Sequence, residues 1–188
     1  MKGSRAAPTD SGRTVTQAAP ILEENPDRID NPVLQFFLRH WREKRGSRAM
    51  PARADIRPRD IKPYLGWVCL LDALPGYADF RYRLVGSSVA EYFLGDGTGR
   101  TVGDAFAAHP GVRDGILWLF RTTCLSKKPM RIWSPGAEWE GRWHPDNDAL
   151  YLPLAADGEN ADMVMNVFTF NYEEFKKTRS EHTLTHTF

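Results

Sequence analysis

The chain has 188 residues, enough for one ordinary domain with tails, and its formal charge of +1 marks it neither as a polyanion nor as a nucleic-acid scaffold. At 41% hydrophobic and 12% aromatic it can fill one core, which excludes a disordered chain. No apolar run reaches the roughly 18 to 20 residues that cross a bilayer, and the N-terminus lacks the apolar centre of a secretory signal. A soluble cytoplasmic protein is expected.

Residues 1–30 are polar and aperiodic, and read as a disordered arm. Asn31-Pro32 then opens a helix, since Asn caps a helix and Pro suits its first turn. Leu34, Phe37, Leu38 and Trp41 follow at helical spacing and give it one apolar face, and Gly46 ends it. Residues 31–62 hold nine basic and three acidic groups, a basic collar on a mildly acidic body. The collar reads first as a solvated face and second as a site for an anion or an acidic partner, with Arg53, Arg57 and Arg59 as phosphate candidates. Pro51, Pro58 and Pro63 limit the connector to a short helical turn near 59–65. The compact core is expected over 66–172, with a tail over 173–188.

In the core, 67–74 is a dense apolar run of strand length, and Phe80–Leu84 alternates cleanly, so a hairpin is expected. Ser88-Val-Ala-Glu91 fits a capping box and predicts a short helix; Thr101-Val-Gly-Asp104 predicts another. Val112, Ile116, Leu119, Phe120 and Cys124 line one face of a longer helix over 112–126. Strands are expected near 130–134, 149–155 and 162–170, with a charged, Trp-rich loop between the first two. The two leading and three trailing strands must share one sheet, because neither group alone covers an apolar face.

Gly95-Asp96-Gly97-Thr98-Gly99-Arg100 resembles a phosphate loop, but the spacing is G-x-G-x-G, and it joins two helices instead of leading from a strand into one. The glycines are expected to let the chain turn. Cys69 and Cys124 lack metal-ligand spacing and read as buried thiols. No nucleophile elbow, zinc signature or catalytic carboxylate pair is present, and no catalytic residue is assigned.

The β-β-α-α-α-β-β-β order resembles the PAS domain. The match rests on a hairpin ending in Val85-Gly86, a helix closing at Leu94-Gly95, and Thr98-Gly99-Arg100 entering the next helix. Trp41–Gly46, Met50–Ile56, Asp60–Leu65 and Phe80–Gly86 further resemble recurring elements of compact, stand-alone PAS proteins of alphaproteobacteria. The resemblance implies an α+β fold with a five-stranded antiparallel sheet behind an amphipathic N-terminal helix, and a sensory or regulatory role.

It also implies a cavity, for which alternation nominates Tyr82, Leu84, Tyr92, Phe93, Phe106, Ile116 and Phe120. Asn166 is the one strongly polar residue of MVMNVFTF, there either to hold a ligand or to bond a backbone group. The Asn-Cys-Arg-Phe type of motif of flavin photosensors is missing, since Cys124 lies between Thr123 and Leu125. His109 and His144 read as turn or surface residues, not haem ligands, and His144-Pro-Asp146-Asn-Asp148 reads as a turn, not a metal site. The expected partners are an unidentified small molecule, a second copy meeting through Leu34, Phe37, Leu38 and Trp41, and an output protein. A ligand-free adaptor and an anion-binding effector are the alternatives.

Overall fold

The computed structural model describes residues 21–22, 25–93, 95–139 and 142–171. The arm and tail expected at 1–30 and 173–188 lie mostly outside them. From Asn25 on, the arm is structured, with a 3-10 turn over Pro26–Arg28 and Ile29 buried. In chain order the elements are β1 (Ile21–Leu22), α1 (Pro32–Arg45), β2 (Val68–Ala73), β3 (Phe80–Val85), α2 (Ser87–Tyr92), α3 (Val102–Ala105), α4 (Pro110–Ser126), β4 (Met130–Ser134), β5 (Ala137–Trp139), β6 (Arg142–His144), β7 (Asn147–Leu154) and β8 (Met163–Phe170). The predicted helical turn of the connector is a 3-10 helix over Pro58–Trp67.

The sheet is antiparallel throughout, in the order β1-β4-β7-β8-β2-β3. The five expected strands are all present, and two-residue β1 extends one edge. The leading hairpin joins the trailing strands through β2 and β8, as the burial argument required. Where a plain loop was expected, β5 and β6 form a separate small hairpin.

Local chemistry explains most boundaries. Asn31 Oδ1 accepts from the backbone N–H groups of Val33 (3.0 Å) and Leu34 (3.3 Å), and Gly46 ends α1 at a φ of 58°. Thr101 Oγ1 accepts from Asp104 N at 3.1 Å, so half of that predicted box forms. The Ser88–Glu91 box does not form: the N-cap of α2 is Gly86, two residues earlier, with no side-chain cap.

Strand register sorts the two faces of the sheet. On one face Tyr151 of β7 meets Phe120 of α4, with ring centroids 5.3 Å apart. On the other, Thr169 of β8 accepts a 2.8 Å bond from Asn31 Nδ2 at the head of α1. Helix α1 therefore covers the face opposite α4. Leu34, Phe37, Leu38 and Trp41 are fully buried there, and Trp41 Nε1 donates to Pro153 O at 2.8 Å. These four residues, expected to face a second copy, instead belong to the core of their own chain. The sheet's outer face is apolar at Leu150, Leu152, Met165 and Val167, and α1 is what removes that face from water.

Candidate functional site

Between the inner face of the sheet and α2, α3 and α4 lies a cavity of about 280 Å³. Its floor is a row of paired residues. Val85 (β3) pairs with Cys69 (β2), Cys69 with Asn166 (β8), and Asn166 with Tyr151 (β7), so all four share one face. Phe93, Phe106, Ile116 and Phe120 close the opposite side, and Asp96, Gly97 and Arg100 stand at its glycine-rich edge.

Six of the eight nominated cavity residues line it: Tyr82, Phe93, Phe106, Ile116, Phe120 and Asn166. Leu84 does not. A bulge pairs Leu70 with Leu84 but Leu71 with Tyr82, leaving Arg83 without a partner position. Alternation shifts phase there, so Val85 turns inward and Leu84 is 39% exposed. Tyr92 is buried in a satellite cluster, 4.3 Å from Phe170 and 5.0 Å from His144, and its hydroxyl donates to Pro145 O at 3.0 Å. Neighbouring Phe93 fills the cavity wall in its place. Cys69, Val85 and Tyr151 were missed. Cys69 sits in a run too uniformly apolar to show a face, whereas the burial of Tyr151 beside Leu150 and Leu152 hides its alternation.

The glycine loop is a structural device. Gly99 N donates to Tyr82 O (2.7 Å), and Tyr82 N donates to Arg100 O (2.9 Å), so the loop docks along β3 beside the cavity. Gly99 has a φ of 88°, which glycine adopts most easily. The head of α3 is filled by the chain itself: the Asp79 carboxylate accepts from Gly103 N (3.2 Å) and also from Phe80 N (2.7 Å).

The polar groups of the cavity are few. Asn166 is buried and donates Nδ2 to Leu150 O at 3.2 Å. Among the described residues nothing donates to its Oδ1, and neither the Tyr82 nor the Tyr151 hydroxyl has a hydrogen-bond partner. Burial pushes both phenols above their ordinary range, and the nearby Cys69 adds to the effect. The Cys69 thiol is itself pushed up to about 12, chiefly by burial. A charge in this space is therefore costly.

The other nominated residues lie away from the cavity. Arg53 donates to Ile56 O at 2.7 Å and so ties down its own connector, while Arg57 and exposed Arg59, 3.5 Å from Asp60, do not line the cavity. His109 and His144 do not line it either, and the described residues contain no cluster of metal-ligating side chains. Both cysteines are buried and unpaired.

An antiparallel sheet that bounds an aromatic cavity beneath three helices defines a small α+β domain. Within that class the chain is specific: a family model described as the PAS domain matches residues 29–168, and the chain belongs to this family. No curated protein and no solved structure matches it. The matched span starts before α1, so the helix on the outer face is part of the family unit. Membership gives the chain a sensory or regulatory role in general terms. None of the described helices is long and apolar enough to cross a membrane.

Proposed function

We propose that this chain is a non-catalytic sensor that holds a small molecule in the cavity and relays its presence to a protein partner or to a second copy. One observation carries the reading. Three polar atoms, Tyr82 Oη, Tyr151 Oη and Asn166 Oδ1, belong to residues lining a largely aromatic cavity and have no partner among the described residues. These atoms face the cavity space and are not among the fully enclosed unpartnered atoms, so a bound molecule can supply the hydrogen bonds that the chain does not.

The relay follows from strand geometry. Asn166 faces the cavity, while Met165 and Val167 beside it in β8 face outward, where α1 packs. A shift of β8 on ligand binding thus reaches α1 and the basic collar through one strand. Native mass spectrometry of the full chain from a bacterial cytoplasm, compared with its denatured mass, tests the reading. A reproducible adduct released on unfolding is expected. A bare chain under conditions that preserve other weak complexes would favour a ligand-free adaptor instead.

A further inference from the structure

We infer that the ligand is a neutral, single-ring molecule carrying one hydrogen-bond acceptor for the Tyr82 and Tyr151 hydroxyls and one donor for Asn166 Oδ1. The inference rests on the cavity being a ligand site, and it adds the chemistry of what enters.

Size comes first. A volume of about 280 Å³ lies just below the range of roughly 300 to 1,000 Å³ typical of small-molecule pockets, which suits a small guest. Shape follows from the walls: Phe93, Phe106, Phe120 and Phe168 contribute rings, and Phe93 and Phe168 meet edge to face with centroids 5.3 Å apart. Such rings favour a flat apolar guest through offset and edge contacts.

Charge is decided by what the lining lacks. The two charged side chains at the cavity, Asp96 and Arg100, are exposed and stand at its glycine-rich edge, not on its floor. Asp96 accepts from Thr98 N and Oγ1 (2.9 and 2.6 Å), and Arg100 Nη2 donates to Asp104 O (2.7 Å). The deep floor, formed by Cys69, Asn166 and Tyr151, holds only neutral groups, and burial keeps the thiol and phenol protonated. A carboxylate or ammonium placed there would lose its hydration and meet no opposite charge. A carbonyl and an N–H on one ring meet complementary partners instead: two phenolic donors and one amide oxygen acceptor.

The test uses four probes of similar shape: benzamide, benzoate, benzylammonium and toluene. Each is titrated calorimetrically at neutral pH into the full chain after unfolding, removal of any released small molecule and refolding, once its native mass shows no remaining adduct. Benzamide is expected to bind at least about tenfold more tightly than either ion. The Tyr82→Phe and Asn166→Leu variants, checked for unchanged far-UV circular dichroism, are expected to weaken benzamide about two- to tenfold and leave toluene unchanged. Equal or tighter binding of benzoate or benzylammonium that is still lost on filling the cavity by Ile116→Trp would overturn the neutral-ligand inference while leaving the ligand site intact. Failure of all four probes to bind would instead overturn the ligand site itself.

Discussion

Gly86 is a position where no larger side chain fits without movement of the backbone. It links β3 to α2 at an ordinary φ of −64°, so its need for glycine is not conformational. A Cβ there would stand 2.4 Å from Gly66 O and 2.6 Å from Leu65 O, both backbone atoms that cannot swing away. Its own N–H donates to Val68 O at 2.9 Å, which pins the crossing of the two segments. Gly86→Ala is therefore expected to destabilise the fold by about 1 to 3 kcal/mol, the range of overpacking where the surroundings shift. Urea unfolding measures it; a midpoint within error of the parent would mean that the crossing is looser than its contacts indicate. Asn166 shows the opposite kind of constraint. Its amide N–H is bound to Leu150 O, in agreement with the backbone-bonding alternative, and its oxygen has no partner among the described residues.

At the scale of the element, β3 shows how far a pattern can be trusted. Phe80 and Tyr82 follow the alternation, and then one bulge exchanges the roles of Leu84 and Val85. Val85→Ser removes apolar volume from the cavity wall, whereas Leu84→Ser alters a side chain that is 39% exposed. Val85→Ser is expected to cost about 1 to 3 kcal/mol and Leu84→Ser under about 1. Thermal unfolding of the two variants gives the order; a larger loss at Leu84 would place the bulge elsewhere. Nothing in the sequence announces a bulge, because it arises from pairing with β2 and from the sheet's twist. Asn31, Gly46 and the apolar spacing of α1 were legible because caps and periodicity are local. What covers that stripe was not legible: the same four residues suit a second copy or the chain's own sheet, and only the apolar outer row on β7 and β8, which α1 covers, decides between them. Leu38→Ala accordingly tests the fold, not assembly. An unfolding loss of about 2 to 5 kcal/mol is expected with the oligomeric mass unchanged; a change of mass with stability retained would return the stripe to an interface. The β5–β6 hairpin escaped notice because its segment mixes Trp with charges and Gly, a composition read as loop.

Across the whole molecule, burial without ionic partners makes stability depend on pH at both ends. Cys69 and Cys124 are both pushed up to about 12 by burial, from an ordinary value of 9.0. In the unfolded chain these thiols ionise near the ordinary value, while in the folded chain they stay protonated. Their contribution is thus complete below pH 9 and is lost as pH rises toward 12, at about 1.4 kcal/mol per pH unit for each thiol. The buried phenols of Tyr82 and Tyr151, raised above 10, extend the loss in the same direction. His40 governs the acid side. It is buried on α1, stacked 5.9 Å from Phe36, with no hydrogen-bond partner for Nε2 among the described residues. Burial, followed by the charge of Lys44, lowers its pKa below 6.5, so its contribution is full above that pH and declines as the solution is acidified. Urea midpoints measured from pH 5 to 11 should therefore form a plateau between about 6.5 and 9 and fall on both sides. In a Cys69→Ala, Cys124→Ala double variant the alkaline fall should begin nearer pH 10, where the phenols take over. A midpoint that stays level through pH 10.5 in the parent chain would show that the two thiols reach solvent in the native state, and with Cys69 on its floor the cavity would then be wet and open, not a closed apolar site.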